Sequence, residues 1–369
     1  MRDPRIEELA RILVDYSTAV RPGDIVLIAA SGLASLPLVT AVHGAAICAG
    51  AKWVEVEFDL PDLRRQFYDL ATAEQLSYFP RHRLEFMREV DVYIGIGAPD
   101  NVMTLAGVDS GKLVAHQRLL HPILDERVKH TRWVVTRFPT YGAAQDARMS
   151  LGEYEDFFFD ACNIDWVAES RKQESLRLLL ERSNEVRIRA ADTDLRFSIA
   201  GMPAIKCDGR FNIPDGEVFT APVRESVEGH ITFNAPTLYA GREFNGVRLE
   251  FERGKIVRAT APNSDEALNR VLDTDEGARY IGEFAIGVNP GIRTPMRNIL
   301  FDEKIFGSIH LTPGACYDEC DNGNRSAVHW DMVRLLNGAD CSICLDGVPV
   351  LAAGLFVHPD LLSLNPADA

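Results

Sequence analysis

Apolar residues recur at helical spacing at Ile6, Leu9, Ala10, Ile12 and Leu13, and Arg21-Pro22-Gly23-Asp24 then breaks the pattern. Residues 25–30 form an unbroken aliphatic run, the kind that predicts a strand buried on both faces of a parallel sheet. A helical pattern over residues 36–49, closed by Gly50, leads to a second strand at 53–58. The alternation then repeats: a helix near 84–89 precedes a strand at 92–96, and a helix at 113–128 precedes one at 132–138. Repeated strand, helix, strand units predict an open α/β sheet with mainly parallel strands.

Residues 154–180 read as one helix, with Phe157, Phe158 and Phe159 suited to core or to a subunit contact. The period then switches. Residues 185–190 and 195–200 alternate as strands around Ala191-Asp192-Thr193-Asp194, a hairpin signal, and further strands are expected at 230–233, 247–251 and 255–259. The expected fold is α/β plus α+β: a mainly parallel α/β sheet domain over residues 1–184, followed by a β-rich domain over 185–369.

Composition narrows the function. The 369 residues carry a net charge of -15, which argues against nonspecific binding to nucleic acid or to anionic membrane, since both need basic surface. The polar start Met1-Arg2-Asp3-Pro4-Arg5 does not read as a signal peptide, and no apolar stretch is long enough to span a bilayer, so a cytoplasmic protein is expected. Seven scattered cysteines suggest reduced thiols. Cys316, Cys320, Cys341 and Cys344 can be drawn as a four-thiolate zinc site, but Cys344 runs on into a strand, turn, strand pattern at Leu345-Asp346-Gly347-Val348. No nucleotide cofactor is expected. Ala30-Ser31-Gly32-Leu33 has one glycine where a dinucleotide fingerprint needs three, and Gly107-Val108-Asp109-Ser110-Gly111-Lys112 is too short for a phosphate loop and lacks its hydroxyl.

The chemistry gathers late in the chain. In His329-Trp330-Asp331 an extended backbone points the imidazole and the carboxylate to one side, where they could share a divalent cation, and His310 in Ile309-His310-Leu311 is a third candidate ligand. Glu217, between Gly216 and Val218-Phe219, and Glu283, between Gly282 and Phe284, are acids carried into apolar surroundings, where an unpaired carboxylate is disfavoured; a metal or a buried arginine would satisfy either. His230 reads as an ordinary strand histidine.

The run from Pro214-Asp215-Gly216-Glu217 to Pro222, the Gly282-Glu283 pair, Ser308-Ile309-His310 with Gly314 and Tyr317, and His329-Trp330-Asp331 together resemble the M29 metallo-aminopeptidases over most of the chain. The resemblance implies a homodimeric hydrolase acting on peptides with a free N-terminus. It also implies two divalent metal ions (zinc, cobalt or manganese) held by Glu217, Glu283, His310, His329 and Asp331, with Tyr317 beside them. Two such ions about 4 Å apart share a hydroxide made available at neutral pH and polarise the scissile carbonyl. Glu283 is the first candidate to pass a proton to the leaving amine, and Tyr317 to hydrogen-bond the oxyanion. Two departures stand out: the loop between His310 and His329 looks short, and Asp302-Glu303-Lys304-Ile305-Phe306 replaces the family's usual Asp-Glu-Asn-Ala-Ala. The rival reading takes His310, His329 and Asp331 alone as a two-histidine, one-carboxylate triad for non-haem iron, as in the 2,5-dihydroxypyridine dioxygenases of related fold.

Overall fold

A computed structural model describes residues 3–239 and 241–367. The chain divides into two compact units.

The first unit runs through Asn163 and takes back Gly209–Pro214. Its sheet is parallel throughout, in the order Trp53–Asp59, Ile25–Ser31, Val92–Gly97, Arg132–Arg137 and Asn212–Ile213. Register explains the aliphatic runs: Ile28 lies between Val56 and Ile94, and Ile94 faces Val134 on its other side. The edge strand Trp53–Asp59 has no fully buried residue, whereas Val26, Leu27, Ile28 and Ile94 on the inner strands are buried. The opening helix Pro4–Arg11 starts where Asp3 accepts a hydrogen bond from the Arg5 amide, with proline at its first position.

One expected helix is two. The periodic stretch at 154–180 is broken into Leu151–Cys162 and Trp166–Arg182, because Asn163 leaves helical geometry and the Asp165 side chain caps the second helix by accepting from the Ala168 amide. The break is also where the units part. Trp166–Arg182 buries Leu176, Leu179 and Leu180 with Val186, Ile188 and Phe197 in the core of the second unit. The units therefore meet in sequence at 163/164, with an excursion at 209–214, and not at the 184/185 change of period.

The second unit holds two antiparallel sheets and a small hairpin. The eight-stranded sheet contains the expected hairpin, Glu185–Ala190 with Thr193–Ser198, closed by the two residues Ala191 and Asp192. The five-stranded sheet runs Met332–Leu335, Ser308–Pro313, Ile281–Gly287, Glu217–Thr220 and Ile205–Cys207. Phe284 from this sheet meets Phe197 from the larger one edge to face, ring centroids 5.0 Å apart. Every residue of Ile281–Gly287 is buried. Whatever polar groups this strand carries must find partners inside the protein. Among the described residues no helix is long and apolar enough to cross a membrane.

Candidate metal centre

Strand register assembles the site. Along Ile281–Gly287, Glu283 lies opposite Thr312, Ala285 opposite His310 and Phe219, and Gly287 opposite Glu217. Because strand side chains alternate, Glu217, Glu283, His310 and Thr312 share one face of the five-stranded sheet. The middle of that face is lined by Ala285 and Gly287, so the acids and the imidazole have room to converge. Gly287 is required there: a Cβ would meet the Ile305 carbonyl oxygen at 2.2 Å. Gly216, at φ +115°, sets Glu217 at the head of its strand and passes too close to Asn289 to carry a side chain.

All five residues singled out as ligands meet here. His310 Nε2 is 3.3 Å from Glu283 Oε1 and its Nδ1 is 3.6 Å from Glu217 Oε2. His329 Nε2 lies 3.5 Å from Glu283 Oε2 and 3.4 Å from Asp331 Oδ1. The second ring nitrogen of His329 donates to the Ala315 carbonyl at 2.9 Å, an oxygen that only accepts. Nε2 is thus the ring nitrogen turned towards the carboxylates, the usual way a metal-binding histidine is oriented. The Thr312 hydroxyl donates to Asp331 Oδ1 at 2.6 Å. Tyr317 stacks at a tilt on the His329 ring, centroids 4.9 Å apart, and remains 47 % exposed.

The electrostatics are those of crowded acids short of cations. Burial pushes the carboxyls of Glu217 and Glu283 above the usual range, and neighbouring acids add to the shift. Burial alone would lower His310, but the hydrogen bond to Glu283 and the charges of Glu217, Glu283 and Asp331 outweigh it and raise the imidazole to about 10. Asp331 is held below its ordinary value in spite of burial, by His329, His310 and the Thr312 hydroxyl. Glu217 Oε2 is buried with no hydrogen-bond donor. An oxygen-rich donor set with two imidazoles and one orphaned carboxylate oxygen fits hard or borderline divalent cations.

Sequence reasoning missed Glu303 and Lys304 as members of this cluster. Lys304 is wholly buried and forms ion pairs with Glu303 and, at 3.6 Å, with Glu217 Oε1. The Glu303 carbonyl faces His310 Nδ1 at 3.4 Å. The visible signal was a lysine set directly before Ile305-Phe306, an apolar context in which a charge needs a partner. The other candidates lie elsewhere. His230 is in the eight-stranded sheet, opposite Glu250 and Asp194. The four thiols do not form a zinc site: Cys341 packs in the main core and Cys344 is in Ser342–Leu345, whereas Cys320 packs with Phe219 and Ala285.

A parallel α/β unit and an antiparallel unit with a buried carboxylate and imidazole centre define a candidate metalloenzyme. Residues 2–341 match the family described as "Thermophilic metalloprotease (M29)", and the chain belongs to that family. It is 29% identical to aminopeptidase T of Thermus thermophilus across 88% of this chain and 91% of that protein. It is 26% identical to aminopeptidase AmpS of Bacillus subtilis, covering 89% and 88%. A solved structure, wild-type AmpT from Thermus thermophilus, superposes with a TM-score of 0.83 at 26% identity over 96% of this chain and 99% of that one. These relatives support the hydrolase reading and not the mononuclear iron dioxygenase.

Proposed function

We propose that the chain is a metal-dependent aminopeptidase that removes N-terminal residues from peptides, with two divalent ions (zinc, cobalt or manganese) held by Glu217, Glu283, His310, His329 and Asp331. The observation that carries the reading is the convergence of these side chains on one buried sheet face, with Glu217 Oε2 left without a donor. The relatives named as aminopeptidases supply the reaction. Divalent ions bound there supply an acidified water and a Lewis acid for the scissile carbonyl.

The chain's own residues do the rest. His329, fixed by the Ala315 carbonyl, offers Nε2 without reorienting. Glu283, whose carboxyl burial pushes above the usual range, is placed to take a proton and pass it to the leaving amine. Tyr317 is raised by its packing and by the carboxylates around it, so it keeps its proton and donates a hydrogen bond to the oxyanion of the substrate. Its exposure leaves it within reach of an incoming peptide. The enzyme is a homodimer in this account, to be checked by light scattering for twice the chain mass.

The test is an assay of chelator-stripped protein reloaded with zinc, cobalt or manganese, on amino-acid anilides with free or acetylated amines. Metal-dependent cleavage of the free-amine substrates alone is expected. Release from no substrate under any metal would overturn the proposal.

A further inference from the structure

We infer that the two metal positions are unequal because the Lys304 ammonium is a built-in cation on the Glu217 side, so that one divalent ion binds tightly at Glu283, His310, His329 and Asp331 and a second binds only weakly at Glu217. The inference rests on the metallopeptidase reading and sharpens it.

The two sides of the cluster are balanced differently. On one side Glu283 and Asp331 face imidazoles and the Thr312 hydroxyl, and among the described residues no lysine or arginine forms an ion pair with either. On the other side ligand atoms of Cys207, Asp215 and Glu217 lie within 4.8 Å of one another, a grouping that could by itself hold a cation. A cation is already there. Lys304, 0 % exposed, pairs with Glu217 Oε1 at 3.6 Å and with Glu303. A buried ammonium cannot retreat to water, and its pairing with Glu217 is lost only at the cost of leaving a carboxylate uncompensated.

A second divalent ion must therefore bind through the one Glu217 oxygen that Lys304 leaves open, against the repulsion of a fixed positive charge a few ångströms away. His310 turns Nε2 towards Glu283, while its Nδ1, 3.6 Å from Glu217, faces the Glu303 carbonyl, so the ring serves the tight ion and not the weak one. The enzyme then rests with one ion, and its second position fills only at high metal concentration.

The experiment is a cobalt titration of the chelator-stripped full chain, followed by calorimetry and by visible absorbance, on wild type, Lys304→Met and Glu217→Gln. In wild type one equivalent is expected to bind tightly, with a second roughly 100-fold weaker or more. Lys304→Met should bring the two within about tenfold. Because removing a buried charge can cost folding, Glu217→Gln is the second arm: it should erase the weak phase and leave the tight one within threefold. Two equivalents of similar affinity in wild type would overturn the inference, as would loss of the tight ion in Glu217→Gln. Binding of no ion at all would instead sink the metallopeptidase reading on which the inference rests.

Discussion

Two seven-residue strands, each paired on both sides, show how differently buried positions are used in this protein. Ile25–Ser31 is aliphatic up to its last residue, and Val26, Leu27 and Ile28, which alternate between the two faces of the parallel sheet, are all buried. Ile281–Gly287 is buried at every residue yet carries Glu283, whose oxygens have two imidazoles as their nearest ionisable partners. The first strand gains from burial through the hydrophobic effect. The second gives up part of that gain by taking a carboxylate out of water, a cost that an active site can justify and a core cannot.

Substitutions that separate the two roles test the contrast. Glu283→Gln should reduce peptidase turnover by on the order of 10³-fold or more while leaving the circular dichroism spectrum of the metal-free protein near that of wild type. Retained turnover would place the chemistry elsewhere. Tyr317→Phe, which removes one hydroxyl from a half-exposed ring, should lower kcat by about 100-fold with little change in KM. An effect on KM alone would make it a binding residue. Ile28→Ala should do the reverse of both, costing about 2–5 kcal/mol in urea unfolding through the cavity it leaves, with kcat of the folded fraction unchanged.

The smallest expected effect is on pH dependence. His310 is raised to about 10 in the folded, metal-free chain. A group raised on folding contributes stability that is complete below its unfolded value, roughly 6.5, and is lost as pH climbs through the folded value. Glu217 and Glu283, also raised, act with the same sign. The metal-free protein should therefore melt at progressively lower temperature between about pH 6.5 and 10. His310→Gln should flatten that slope, and a slope unchanged by the substitution would show that His310 does not carry it.

The same contrast explains what could be read in advance. The parallel sheet is written locally: unbroken aliphatic runs such as Ile25 to Ala30 and helical spacing between them depend on no distant partner. The five candidate ligands were picked out by residue type and motif, since an acid between Gly282 and Phe284 has few uses. Lys304 was not, because its role depends on the register that brings Gly287 opposite Glu217 and Ile305 against Gly287. The helix break at Asn163 and Asp165 escaped the periodicity because a capping aspartate and a surface aspartate look alike in sequence. The return of Gly209–Pro214 to the parallel sheet escaped because Asn212–Ile213 is a two-residue strand that no pattern marks.

Anomalous diffraction from crystals soaked in cobalt would locate the bound ions directly. The strongest peak is expected among Glu283, His310, His329 and Asp331, any second and weaker peak beside Glu217, and none at Cys316, Cys320, Cys341 or Cys344. Cobalt bound away from the carboxylate and imidazole cluster, with the cluster empty at saturating metal, would contradict this assignment.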